Sequence, residues 1–139
     1  MLQVLLVDDE IAVTDSMQHG IDWQSLGLHV AAVAMSGMQA LQYIHANPVD
    51  IVITDIRMAD MDGLSLCQRI FQLNRNIQTI IVSGFAEFSY AQKALSYGVI
   101  GYCLKPIEYS ELTRYLQLAV HRLGHYSRSS NFDDLLDAM

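Results

Sequence analysis

Positive charge is scarce in this chain: 8 Lys and Arg stand against 15 Asp and Glu in 139 residues, a net charge of −7. A domain that grips a nucleic-acid backbone by itself needs a basic face, so direct contact with nucleic acid is excluded as the function of this segment. Cysteine is equally sparse. Cys67 and Cys103 lie far apart, with no CxxC or histidine spacing around them, and read as buried reduced thiols of a cytoplasmic protein. No long hydrophobic run is present. The opening MLQVLLVDDE has no positive stretch and only a short apolar one, which predicts neither a signal peptide nor a membrane span.

What the chain does have is a 52% hydrophobic content, enough for one domain with a real core. Short Val- and Ile-rich runs at Val4 to Val7, His29 to Ala34, Ile51 to Thr54, Thr79 to Val82 and Ile100 to Leu104 predict five strands. Helical spacing lies between them, at Ala40, Leu41 and Ile44, at Leu66, Ile70 and Leu73, and at Phe88, Ala91 and Leu95. A further helix is spaced through Leu112, Leu116, Ala119, Val120 and Leu123, and Glu10 to Gln18 carries a weaker helical pattern. The alternation predicts an α/β fold, a doubly wound parallel sheet with helices on both faces.

Ligands in such sheets bind beyond the carboxyl ends of the strands, which share one edge. Asp8, Asp9 and Glu10 follow the first strand, Asp55 the third, Ser83 the fourth, and Lys105 with Pro106 the fifth. Each has an ordinary explanation. Asp8 or Asp9 can cap the first helix, Asp62-Gly63 reads as a turn and helix start with no chemical role, Ser83 suits a loop, and Lys105 a solvated turn. Four strand ends carrying reactive groups at once outweigh these explanations. Clustered carboxylates call for a cation, and Mg²⁺ takes oxygen ligands from one or two carboxylates plus water and phosphate. A carboxylate can also attack phosphorus, in a transfer that depends on positioning and charge neutralisation, with Lys105 and Ser83 suited to the phosphoryl oxygens.

The pieces VDDE at 7–10, TDIRM at 54–58, MDGL at 61–64, IIVSG at 80–84 and YCLKP at 102–106 resemble the receiver domains of two-component response regulators. The resemblance covers residues 2 to about 123. IDWQSLG at 21–27 and SGFAEFSYAQKALSYGV at 83–99 are similar to the subgroup whose receivers precede an AraC-type DNA-binding domain. It implies a flavodoxin-like five-stranded sheet of order 2-1-3-4-5. By the same resemblance Asp55 is the phosphoacceptor, and Asp8, Asp9, Asp55 and the backbone carbonyl of Arg57 hold Mg²⁺. Ser83 and Lys105 meet the phosphoryl group, the Lys105-Pro106 bond is cis, and Tyr102 is the switch aromatic beside Ser83. The implied partners are a sensor histidine kinase, an effector domain, and a second copy docked through the fourth helix, fifth strand and fifth helix. Tyr90, Lys93 and Tyr97 are expected there as exposed residues. The implied role is that of a phosphoacceptor and not of an enzyme.

Two departures stand out. Ala59 occupies the place where the family usually has proline, and Arg57 and Phe85 stand where the family tunes water access to the acyl phosphate, predicting slow hydrolysis. Residues 1–123 read as the receiver and 124–139 as a linker or tail toward an effector domain absent here. Gly124 to Asn131 is polar and Ser-rich, and Phe132, Leu135, Leu136 and Met139 have helical spacing. The alternative is a pseudo-receiver, a phosphorylation-independent interaction module. A flavin-binding domain is disfavoured because VDDE offers carboxylates where a phosphate needs donors. An acyl-phosphate-forming hydrolase lacks a separate general base.

Overall fold

The computed structural model describes residues 1–84 and 86–138, with residue 88 and residues 125–138 by backbone alone. Five parallel strands, β1 (Leu2–Val7), β2 (Leu28–Ala34), β3 (Ile51–Thr54), β4 (Gln78–Ser83) and β5 (Gly101–Leu104), form one sheet in the order β2-β1-β3-β4-β5. The expected order holds, and strand boundaries differ from the sequence reading by one or two residues at several ends. Helices α1 (Ile11–Gly20), α2 (Gly37–Ala46), α3 (Gly63–Gln72), α4 (Phe88–Ser96) and α5 (Tyr109–Ala138) connect or follow the strands, with a short 3₁₀ turn at Gln24–Leu26.

Successive residues of β1 serve opposite faces, as strand geometry requires. Val4 and Leu6 join Met17 of α1, Ile21 just after it, and Leu112, Leu116, Ala119 and Leu123 of α5 in one core. Leu5 and Val7 join Ala40, Leu41 and Ile44 of α2 and Leu66 and Ile70 of α3 in the other. A third cluster, Ile56, Leu64, Cys67, Ile81, Ala94 and Val99, fills the space between α3 and α4. This is why Ile51, Val52 and Ile53 are all fully buried: β3 is central and covered on both sides. Registers of Val7 with Thr54 and of Thr54 with Ile81 bring the strand ends level at one edge.

One sequence expectation needs correction. The first helix takes no cap from Asp8 or Asp9: its N-cap position is Glu10, with no side-chain cap bond. The Asp8 carboxylate instead accepts the Glu10 N–H at 2.9 Å and turns toward Lys105. The backbone of α5 runs on to Ala138, through the stretch whose composition suggests a linker. Ser and Asn disfavour a helix by well under ~1 kcal/mol each and Gly by about 1, too little to stop one that is already propagating. Met139 and Phe85 lie outside the described residues.

Candidate functional site

Asp55 leaves β3 as a buried residue, and its N–H donates to the Val7 carbonyl at 3.0 Å, so it extends the sheet by one position. Its carboxylate is held from two sides. Oδ1 accepts the Ile56 N–H at 2.7 Å and Oδ2 accepts from Lys105 Nζ at 3.1 Å. Behind it, Gly63 N–H donates to the Ile56 carbonyl at 2.6 Å, and a Cβ at 63 would run into the Asp55 backbone carbonyl. Only glycine permits that approach.

Asp8, 1% exposed, accepts from Lys105 Nζ at 3.0 Å, and Glu10 reaches the same ammonium at 3.5 Å. One ligand oxygen from each of Asp8, Asp9, Glu10 and Asp55 can be chosen so that all lie within 4.8 Å of one another. Lys105 thus bridges two carboxylates, Asp8 lying 97 positions and Asp55 50 positions before it in the sequence. Burial pushes the Asp8 carboxyl above its ordinary value, and the Asp55 charge adds to this, against the opposing Glu10 N–H and Lys105. For Lys105 burial acts to lower the pKa, but the bonds to Asp8 and Asp55 outweigh it and the net shift is upward. A set of hard oxygen donors with incomplete charge balance fits a divalent cation such as Mg²⁺, which the carboxylates of Asp8, Asp9, Glu10 and Asp55 could hold. Glu10, passed over in the sequence reading as a ligand, belongs to the same cluster.

Ser83 is fully buried at the end of β4, and its carbonyl accepts the Lys105 N–H at 2.8 Å. The Lys105-Pro106 bond is cis, as expected. Tyr102 of β5 is half-buried against the third cluster; burial raises its phenol pKa and the neighbouring Ser83 side chain opposes the rise. Arg57 extends from the acceptor loop to α4, with Nη2 3.3 Å from the Tyr90 hydroxyl and 3.8 Å from Glu87. Tyr90 and Tyr97 are partly buried in the third cluster, so the expected exposed trio on α4 reduces to Lys93. Asp62 caps α3, accepting the Ser65 N–H at 2.7 Å, the structural role its sequence context indicated.

Residues 4–117 match the response regulator receiver domain family. The chain belongs to that family. YesN, an uncharacterized transcriptional regulatory protein of Bacillus subtilis, is 38% identical over 88% of this receiver and 33% of its own length. The receiver domain of AraT, a response regulator from Geobacillus stearothermophilus, superposes with a TM-score of 0.84 at 32% identity, covering 91% of this chain and 98% of that one. A two component transcriptional regulator AraC from Clostridium phytofermentans gives 0.79 at 30% identity, covering 92% and 99%. The receiver spans a third to about half the length of the first curated relatives it matches, 33% and 52%. Among its described residues no helix is long and apolar enough to cross a membrane.

Proposed function

We propose that this receiver accepts a phosphoryl group on Asp55 from the phosphohistidine of a sensor histidine kinase in the cytoplasm, and passes its state to a DNA-binding effector. The observation that carries this reading is the Lys105 ammonium held at 3.0 and 3.1 Å between Asp8 and Asp55 at the carboxyl edge of the sheet. An AraC-type effector is supported by the stretches at 21–27 and 83–99, the AraC name of a solved relative, and the longer curated relatives. With a net charge of −7, DNA contact is left to that effector.

In the transfer, the donor's P–N bond breaks as an Asp55 oxygen forms the P–O bond, and the imidazole leaves with the electron pair. The Ile56 N–H and Lys105 hold the attacking carboxylate in one orientation, a saving of entropy at the moment of reaction. Asp8, Asp9, Asp55 and the Arg57 carbonyl would hold Mg²⁺, which when bound would supply charge neutralisation for the phosphoryl oxygens. Lys105, relieved of one carboxylate's charge, and the Ser83 hydroxyl serve those oxygens from the other side. Ser83 lies beside Tyr102, so recruiting its hydroxyl to the phosphoryl group changes the support of Tyr102 and the face formed by α4, β5 and α5. That face is the proposed output and dimer contact. Arg57, lying across the loop toward α4, is proposed to slow the approach of water to the acyl phosphate. The receiver assists its own phosphorylation and dephosphorylation and is not a turnover enzyme.

The test is intact mass after incubation with acetyl phosphate, with and without Mg²⁺, for the wild type and Asp55→Asn. One phosphoryl adduct is expected, lost without Mg²⁺ and lost in the variant. A wild type with no adduct from acetyl phosphate or from a phosphorylated kinase would overturn the reading in favour of a pseudo-receiver.

A further inference from the structure

The loop from Ile56 to Asp62 carries the acceptor's neighbours, including Arg57, and has alanine at 59 where the family usually has proline. Its base is closed by the Gly63 to Ile56 bond. Its tip is closed by a different device. Asp60 reaches the first turn of α2, where Oδ1 accepts the Gly37 N–H at 3.3 Å and Oδ2 the Met38 N–H at 3.1 Å. Oδ1 also takes the Met61 N–H at 2.7 Å.

These are amides that a helix leaves without internal acceptors, and a negative charge is favoured there. The N-cap Ser36 accepts the Gln39 N–H, so the helix's own cap and Asp60 divide the first turn between them. The two segments are also in direct contact: a Cβ on Gly37 would come within 2.8 Å of Met61 Cβ and 3.0 Å of the Met61 carbonyl. Desolvation acts to raise the Asp60 carboxyl, but the Met38 and Met61 amides and Ser36 outweigh it, and it lies below the ordinary carboxylate range. The ionised form is the one that docks.

We propose that Asp60 is a positioning residue for the cation and phosphoryl site, tying the acceptor loop to α2 in place of the stiffness a proline at 59 would give. It acts through the loop backbone, holding the Arg57 carbonyl where it completes the cation's ligand set, and it therefore rests on the phosphoacceptor reading above. Groups that orient ligands without touching the metal commonly change affinity by about 10- to 100-fold.

The experiment is an MgCl₂ titration followed by backbone amide shifts, with thermal unfolding in parallel. The proteins compared are the wild type, Asp60→Ala, Asp60→Asn, and Asp60→Ala combined with Ala59→Pro. Asp60→Ala is expected to bind Mg²⁺ about tenfold more weakly, with Asp60→Asn in between because it keeps one acceptor oxygen. The added proline is expected to recover most of the loss, which a general stability defect or a lost charge would not allow. Folded Asp60→Ala with wild-type affinity would overturn the proposal. So would a loss that proline fails to recover. If Asp60→Ala does not fold, Asp60→Asn with and without Ala59→Pro decides by the same criteria. Wild-type protein that takes the Mg²⁺-dependent adduct while the variants bind like wild type rejects only the role of Asp60. Wild-type protein with neither Mg²⁺ binding nor adduct rejects the site reading and this role together.

Discussion

Asp8 shows how a residue of the candidate site can work against the fold that holds it. It is 1% exposed, and burial sets its carboxyl above the usual value despite the Glu10 N–H and Lys105. A folded pKa above the unfolded one means that the native state holds the proton more tightly than the unfolded chain does. The ionised residue therefore costs stability at neutral pH, and the cost is relieved as the pH falls through the folded value toward about 4. Asp8→Asn is accordingly expected to raise the urea midpoint at pH 7 in the absence of Mg²⁺, with an advantage that shrinks on acidification. A lower midpoint than wild type at pH 7 would contradict this assignment. Wild type is expected to recover the difference as Mg²⁺ is added, because the cation binds the folded state alone.

At the scale of elements, α5 is fixed by Leu112, Leu116 and Ala119, all fully buried, with Leu123 nearly so. The i, i+4, i+7, i+11 spacing puts them on one stripe facing β1, β3 and β4. Leu116→Ala is expected to destabilise the domain by about 2–5 kcal/mol, read as a reduced urea midpoint with an unchanged slope. The carboxyl edge lies at the strand ends, away from that stripe, so phosphorylation of the folded variant should proceed at nearly the wild-type rate. A variant that is stable yet fails to phosphorylate would show that α5 packing shapes the site.

At the scale of the molecule, the face of α4, β5 and α5 carries exposed apolar surface among the described residues. Ala91, Leu95, Ile100, Tyr102 and Tyr115 line a groove of about 210 Å³, and Leu95 is 73% exposed. Tyr102 links this groove to Ser83 and thus to the acceptor. If the face is the dimer contact, phosphorylation should raise the mass measured by light scattering toward that of a dimer, and Leu95→Asp should block the rise while leaving the adduct intact. Equal masses before and after phosphorylation would remove the dimer from the proposal.

Apolar periodicity by itself determined the layers: a covered strand such as Ile51 to Thr54 must be hydrophobic on both faces, and a helix such as α3 on one. The reactive strand ends were equally legible, because parallel connection sends every carboxyl end to one edge whatever the side chains are. The tertiary structure alone decided which oxygens meet. Lys105 choosing Asp8 and Asp55, Tyr102 beside Ser83, and Asp60 crossing to Gly37 and Met38 all join residues distant in sequence. Such pairings leave no period in the chain, since hydrogen-bond partners are selected by angles and distances of about 3 Å that only the packed backbone defines.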